Sequence, residues 1–254
     1  MDFPTLTKAR LVRRYKRFLA DVEWLEDQGT DVVHCPNTGA MAGCCDEGAS
    51  IWLSHHNNPR RKLSWTWELV ETGAGLACVH SARANRVVKE ALGQGFFPTL
   101  RAKHTPIRRE VPTGSSSRAD FFLGSDQGVY VEVKAVTLYQ GASTGAFPDV
   151  RSLRTTKHLR ELMNMMTLGH RAALVFCVLH AGIHHVGAAA DIDPEYAWQL
   201  SVAIDAGLKV FTLQPNFVLS PFSKAFCKFK FLWKIFISNI CKPITIVVKK
   251  NFSH

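Results

Sequence analysis

The 254-residue chain lacks any run of the ~20 apolar residues that a membrane-spanning helix needs, so no integral membrane span is expected. Its seven cysteines follow no even, repeating pattern, which excludes a disulfide framework and favours reduced thiols. The opening stretch, MDFPTLTKARLVRRYKRF, carries charges where a signal peptide has its apolar segment. We therefore expect a cytoplasmic protein.

Positive charge is concentrated at one end of the chain. The net charge is +10, and residues 222–254 supply +7 of it, with seven lysines and no arginine, aspartate or glutamate. The other residues hold 24 basic and 21 acidic side chains, a net of +3. Overall charge therefore gives no argument for nucleic-acid binding by the body of the protein.

The composition also changes at residue 222. The segment 222–254 consists mostly of Phe, Ile, Lys, Ser and Asn and has no glycine, whereas the body contains 16 Arg and 8 Lys. Phe, Ile, Lys and Asn are the amino acids of A/T-rich codons, so we interpret this tail as out-of-frame or read-through sequence, or as a fusion. The alternative is a basic amphipathic segment, FLWKIFISNI, that lies on a membrane surface or on an acidic partner.

The first third of the chain is predicted to be a small β-barrel. Short extended segments separated by turns run from Ala9 to Ser81. One of them, FLADVEWL, alternates apolar residues from Phe18 to Trp24, which predicts that Phe18 points into the core. Five or six strands at this spacing predict a closed barrel of the oligonucleotide-binding (OB) type.

After Ser81, helical and extended segments alternate, which predicts an α/β domain. We expect Ser81 to cap the first helix and Asp193 to cap the last one. The predicted helices are SARANRVVKEALGQG, TKHLRELMNMMTL and DPEYAWQLSVAIDAG. The predicted divisions are an OB-like barrel at 1–81, an α/β domain at 82–221 and the atypical tail at 222–254.

A pair of carboxylates and a lysine form the sharpest candidate site. Glu132 and Lys134 are two residues apart on a predicted strand, so they share a face, and a hairpin can bring Asp120 beside Glu132. Two carboxylates can hold a divalent ion such as Mg²⁺ or Mn²⁺, and a lysine can stabilise charge at a phosphate. This layout resembles the PD-(D/E)XK nuclease superfamily, in which a carboxylate on a preceding helix assists; Glu90 is the matching residue. The alternative is a solvated strand face with alternating Glu and Lys.

Basic and aromatic residues alternate in a second constellation. Such a mixture suits phosphates and stacked bases, so we predict that it binds DNA; the alternative is a solvated barrel edge. Asn37 and Thr38 lie in a turn whose N–H groups and side chains can meet a phosphate. Lys62 and Trp65 repeat the basic–aromatic pattern on a later strand. The members of the first cluster are Arg13, Arg14, Tyr15, Lys16, Arg17 and Phe18.

Eight motifs in order give the chain a strong resemblance to the sugar fermentation stimulation protein family over residues 3–213. The resemblance implies an N-terminal OB-like domain, a C-terminal nuclease-like domain, DNA binding and a regulatory effect on sugar metabolism. The motifs are RRYKRFLADV, HCPNTGAM, RRKLSWTWELV, ANRVVKEAL, SRADFFL, YVEVKAVTL, FPDVRSLRTTKHLREL and RAALVFCVLH. By position, the family's site-like residues are Asp120, Glu132 and Lys134, with Asp149, Lys157 and His158 in its FPD and KHL elements.

Two departures from the family pattern concern the local structure. The family has a glycine where Thr155 stands, and its final strand gives way here to the tail at 222–254. The resemblance predicts a DNA-binding protein that regulates sugar-metabolism genes. The alternative is an active Mg²⁺- or Mn²⁺-dependent DNA phosphodiesterase, which the intact Asp120–Glu132–Lys134 set favours.

Overall fold

The computed structural model describes residues 2–100, 105–114 and 117–219, together with the backbone of three strands at 225–228, 234–239 and 242–247. Among these residues, no helix is both long and apolar enough to cross a membrane. The first six strands, β1 to β6, are Leu6–Tyr15, Leu19–Trp24, Thr30–His34, Ser50–His55, Trp65–Thr72 and Gly75–Cys78.

Strands β1 to β6 form one closed sheet. Their order is β3-β2-β1-β4-β5-β6, and a parallel pairing of His34 in β3 with Thr66 in β5 closes it. Alternate residues of the strands fill the interior, among them Trp67, which is fully buried. This is the barrel that the spacing of the strands predicts.

The second domain is built on a mixed sheet with helices on both faces. Strand β9 lies between β8, which is antiparallel to it, and β12, which is parallel. Helix α1 packs on one face, and α2 and α3 pack on the other. The helices α1 to α3 are Arg83–Gly93, Leu153–Thr167 and Pro194–Asp205. The strands β7 to β14 are Ile107–Pro112, Arg118–Leu123, Val129–Val136, Leu138–Tyr139, Thr144–Phe147, Arg171–Val178, His185–Ala188 and Lys209–Leu213.

Four further strands follow β14. The hairpin of β15 and β16 forms a separate two-stranded sheet, while β17 pairs with β14 at Thr212↔Lys234 and with β18 along its length. The strands β15 to β18 are Asn216–Leu219, Ala225–Lys228, Lys234–Asn239 and Lys242–Val247. The composition change at residue 222 therefore falls between β15 and β16.

The two domains are joined by backbone hydrogen bonds and by a buried ion pair. The Cys78 N–H donates to the Leu179 carbonyl at 2.7 Å, and the Ala181 N–H donates to the Leu76 carbonyl at 2.8 Å. Glu68 on β5 accepts hydrogen bonds from Nε and Nη2 of Arg83 on α1 at 2.9 and 2.6 Å. These contacts hold the barrel against the α/β domain on the side where α1 begins.

Helix α3 confirms one predicted cap. Asp193 precedes α3, and its Oδ1 accepts from the Tyr196 N–H at 3.1 Å.

Two local predictions are wrong. The N-cap of α1 is Ala82, because the Ser81 hydroxyl instead donates to the Pro36 carbonyl of the barrel. Phe18 lies in the turn before β2 and is 49% exposed, so it does not point into the core. The predicted strand began one residue too early.

Candidate active-site cavity

Strand β9 carries the central carboxylate and amine of the site. Glu132 and Lys134 lie on the same face of β9 and are both buried, while Val131 and Val133 pack into the core on the α1 side. The Lys134 ammonium donates to Glu132 Oε1 at 2.6 Å. Burial without a partner would be costly for either charge, so the pair is held together by mutual neutralisation.

Asp120 reaches the same place from the neighbouring strand. The pairing of β8 with β9 ends at Phe121↔Val131, and Asp120 is the residue of β8 that precedes Phe121. Its Oδ2 accepts from the Val133 N–H at 2.7 Å, and its Oδ1 accepts from Asn85 Nδ2 at 2.6 Å. The carboxylate thus replaces a backbone partner at the point where the two strands diverge, and this fixes it beside Glu132.

His158 on α2 completes the cluster. Its Nδ1 is in contact with Glu132 Oε1 and lies 3.2 Å from Lys134 Nζ. Arg154, one turn earlier on α2, donates from Nε to His158 Nε2 at 3.4 Å. Both ring nitrogens of His158 are therefore engaged, Nδ1 with Glu132 and Nε2 with Arg154.

The two carboxylates differ in proton affinity. Burial and the nearby charge of Glu132 raise the pKa of Asp120 to about 6, against the opposing effect of its hydrogen bonds from Val133 and Asn85. Burial also raises the pKa of Glu132, but Lys134 and His158 outweigh it, so that this pKa lies below its ordinary value. The cluster therefore contains one carboxylate that is paired with the Lys134 ammonium and one, Asp120, whose hydrogen-bond donors are neutral.

These groups line a cavity of about 670 Å³ between the two domains. Arg118, Arg151 and Arg154 lie on the α/β side of its wall. The barrel side is lined by Arg17 and by residues 37–39 of the loop after β3. A second cavity of about 730 Å³ shares Arg118, Arg154 and His158 with the first. The two cavities also share Glu110, so acidic as well as basic side chains line this region.

The structure brings together most, but not all, of the predicted site residues. Asp120, Glu132 and Lys134 meet in the cavity, and Arg17, Asn37 and Thr38 reach its opposite wall. Lys16, Arg13, Lys62 and Trp65 do not line it. Arg13 pairs with Asp21 at 2.7 Å, and the Trp65 ring packs against Trp24 with 4.9 Å between centroids.

Two predicted residues have other roles. Glu90 lies five residues from Asn85 on α1, roughly 140° around the helix, and its carboxylate accepts from Gln94 at 3.2 Å. Asn85, and not Glu90, is the residue of α1 that contacts Asp120. Arg14 was predicted to contact phosphates, but its guanidinium donates to backbone carbonyls of its own domain.

Sequence reasoning missed Asn85 and the arginines of the α/β wall. Asparagine is a poor helix former, so its position within the first turns of α1 was a usable signal. Arg118 and Arg154 offered no such signal, since exposed arginines are common on strands and helices. Their proximity to the cavity depends on how α2 packs against the sheet.

The fold and the cavity define a two-domain protein: an OB barrel followed by an α/β domain with a D…ExK cluster at the junction. The family model "SfsA N-terminal OB domain" matches residues 12–79, and "Sugar fermentation stimulation protein RE domain" matches residues 82–219. The chain therefore belongs to the sugar fermentation stimulation protein family, as the sequence motifs indicated.

Relatives and a solved structure agree with this assignment. The chain is 50% identical over 212 residues to the sugar fermentation stimulation protein homolog of Shewanella sp. (strain MR-4), covering 82% of this chain and 89% of that protein. It is 49% identical over 211 residues to the homolog of Ectopseudomonas mendocina, with the same coverage. The structure of Pyrococcus furiosus SfsA in complex with Ca²⁺ superposes with a TM-score of 0.78 at 21% identity, over 90% of this chain and 96% of that one. The predicted fold class is confirmed.

Proposed function

We propose that this protein binds DNA in the cavity between its domains and hydrolyses phosphodiester bonds with the help of Mg²⁺ or Mn²⁺. The observation that carries the proposal is the convergence of Asp120, Glu132 and Lys134 on one cavity wall that also carries arginines. A phosphate backbone is the substrate chemistry that fits cations around an acidic centre.

The residues present fit a hard divalent cation. Asp120 and Glu132 supply carboxylate oxygens, the donors that Mg²⁺ and Mn²⁺ prefer. Burial and the neighbouring Glu132 carboxylate raise the pKa of Asp120, and a divalent cation between the two carboxylates would offset both effects. When bound, the ion would lower the pKa of a water molecule and screen the phosphate charge. The similar structure of Pyrococcus furiosus SfsA is a complex with Ca²⁺. Ca²⁺ shares this preference for oxygen ligands.

Side chains and helix N-termini of this chain position the carboxylates and supply positive charge at the site. The Lys134 ammonium donates to Glu132 at 2.6 Å and has further N–H groups that can donate to a phosphate oxygen. His158 holds Glu132 in place through Nδ1, and Arg154 fixes the ring through Nε2. The N-termini of α1 and α2 also lie at this cavity without a side-chain cap or an acidic residue in the first turn, which favours an anion there.

A second candidate function is DNA binding without hydrolysis, in keeping with a regulatory role in sugar metabolism. Among the described residues, no cluster of three or more His, Cys, Asp or Glu side chains is arranged to hold a metal ion. A site with two protein carboxylates depends on water, backbone or substrate oxygens for its remaining ligands. The OB barrel and the arginines of the cavity wall serve DNA binding under either function.

One experiment separates the two functions. The full chain is incubated with end-labelled single- and double-stranded DNA in Mn²⁺ or in EDTA, and both complex formation and products are followed. Hydrolysis should require Mn²⁺ and should be lost in Glu132→Gln, whereas Glu71→Gln, an exposed carboxylate on β5, serves as the matched control. Binding without products in any condition would leave the regulatory function alone. Equal cleavage by parent and Glu132→Gln would assign the activity to a contaminant or to another site.

A further inference from the structure

The barrel contributes a wall to the cavity of the α/β domain. Arg17 lies in the turn between β1 and β2, and Asn37 and Thr38 lie in the loop after β3; all three line the cavity that contains Asp120 and Glu132. The Arg17 side chain is exposed, and its guanidinium makes no hydrogen bond or ion pair within the part of the chain that the structure describes. An available cation therefore faces a pair of carboxylates across a space in which a ligand can lie.

Arg14 holds this wall in shape from within the barrel. Its Nη2 lies 2.8 Å from the Arg17 carbonyl, 2.8 Å from the Asn37 carbonyl and 2.9 Å from the Gly39 carbonyl. One guanidinium thus ties the turn that carries Arg17 to the loop that carries Asn37. Arg17 has a φ of +64°, a left-handed conformation that a non-glycine residue keeps only when its surroundings hold it.

Asp149 holds the same loop from the α/β domain. Its Oδ2 accepts from the Met41 N–H at 3.2 Å. Gly39 approaches it so closely that a Cβ at this position would lie within 2.9 Å of all three atoms of the carboxyl group. A side chain at position 39 would therefore displace the Asp149 carboxylate or the loop, and the reason is space, because Gly39 does not have a positive φ. The loop is therefore fixed between Arg14 on one side and Asp149 on the other.

We propose that the barrel completes the substrate site: Arg17 contacts a phosphate of the nucleic-acid strand in the cavity, and Arg14, Gly39 and Asp149 position the wall that carries it. The inference rests on the proposed function, since it needs a nucleic acid in the cavity. Binding and hydrolysis then share one composite site between the domains. A separate DNA surface on the outer face of the barrel, with Arg13 and Lys62, is the arrangement it replaces.

The adjacent residue Lys16 provides a matched control for Arg17. Both are exposed cations in the same turn and both have a positive φ, but only Arg17 lines the cavity. Alanine at either position removes one charge and leaves a comparable backbone strain. If Arg17 contacts the DNA directly, the two variants should differ in DNA affinity. If the attraction is only diffuse and electrostatic, both should lose affinity equally.

The first test measures DNA affinity of the full chain in Ca²⁺ as a function of salt, with gel analysis to show that the DNA stays intact. Arg17→Ala should reduce the slope of log affinity against log salt by about 0.7–0.9, the change expected for one lost phosphate contact. Lys16→Ala should leave the slope close to that of the parent. Equal losses in the two variants, or no loss in either, would overturn the inference while leaving the proposed function intact. A parent protein that binds no DNA would overturn both.

The second test uses the close approach of Gly39 to Asp149. Gly39→Ala should weaken DNA binding, because the added methyl group pushes the loop away from Asp149. Asp149→Ala removes both the obstructing carboxylate and its hydrogen bond from Met41, so adding Gly39→Ala to Asp149→Ala should cause little further loss of binding. Thermal midpoints of all variants report any general destabilisation. Additive losses in the double variant would show that the contact does not position the wall.

Discussion

Two buried carboxylate clusters lie at the junction of the domains, and they differ in how their charge is balanced. Glu68 is fully buried, and Arg83, His80 and Ser54 all donate to it at 2.6–2.9 Å. Burial raises its pKa, but His80 and Arg83 outweigh burial and lower the pKa to about 2. Asp120, by contrast, has neutral donors only, and its pKa is raised to about 6. Glu68 thus has a cationic hydrogen-bond donor, Arg83, whereas the donors to Asp120 are a side-chain amide and a backbone N–H.

The difference distinguishes a buried carboxylate with a cationic partner from one that has neutral partners. When donors within the protein already stabilise a buried carboxylate, a bound ligand can stabilise its charge little further. A carboxylate beside another, with a neutral amide and an N–H as partners, gains from a cation that arrives with the substrate or with the solvent. The comparison predicts opposite responses of the two clusters to mutation, metal and pH.

The largest expected effect is at the Glu68 cluster. Arg83→Met should lower the free energy of unfolding by about 3–5 kcal/mol at neutral pH, because it leaves the buried charge of Glu68 without its main partner. Arg86→Met, which removes an exposed cation of α1, should change it by no more than about 0.5 kcal/mol. Urea unfolding of the three proteins measures this. Similar values for the two variants would mean that His80 and Ser54 suffice for Glu68.

A smaller effect is expected from metal at the cavity cluster. Mn²⁺ at 100 times its dissociation constant should stabilise the parent by about 2.7 kcal/mol, since it binds the folded state alone. Thermal unfolding should show a reduced shift in Glu132→Gln and a retained shift in Lys134→Met, because lysine is not a ligand. Arg83→Met should also retain the shift. An equal shift in parent and Glu132→Gln would remove Glu132 from the metal site.

In EDTA, ionisation of Asp120 should destabilise the folded protein, whereas ionisation of Glu132 should stabilise it. Because the pKa of Asp120 is raised, the folded state binds the extra proton, so its unfavourable contribution grows as pH rises from about 4 to about 6. Asp120→Asn should therefore stabilise the protein by about 1–2 kcal/mol above pH 6, after the loss of one acceptor bond. The gain should vanish below pH 4.

Glu132 provides the opposite case. Its pKa is lowered, so its favourable contribution is present above its ordinary value of 4.5 and is lost as pH falls below it. Glu132→Gln should therefore destabilise the protein at neutral pH. Denaturant titrations across this pH range measure both variants, and a shared sign would contradict the opposite pKa shifts of Asp120 and Glu132.

The smallest expected effect comes from the tail. Deleting residues 222–254 should lower the thermal midpoint by no more than about 2–4 °C, or about 1 kcal/mol. The reason is that, among the described residues, β17 is paired with the α/β sheet at Thr212↔Lys234 alone. Calorimetry of the full chain and of the shortened chain tests this, and a loss of cooperative unfolding would show that the tail packs as a true final element.

Local sequence patterns were sufficient to predict the cluster of Asp120, Glu132 and Lys134. Alternation along a strand puts Glu132 and Lys134 on one face whatever surrounds them, and the short hairpin brings Asp120 to the neighbouring strand. Glu90 was chosen because the nuclease superfamily has a carboxylate on a preceding helix, so the choice rested on residue type. The direction of each side chain around α1 instead brings Asn85 to Asp120.

The sequence by itself determined the OB barrel, the α/β domain and the D…ExK cluster, because strand alternation, helix periodicity and turn residues act over a few positions. Only the tertiary structure decided that Arg17 and the loop after β3 face that cluster, and that Arg14 supports the loop. The partners of Arg14 in the loop are carbonyls 23–26 residues away, and the contact of Asp149 with Met41 spans 108 residues. Every residue offers a carbonyl or an N–H, so no residue type marks such partners in advance.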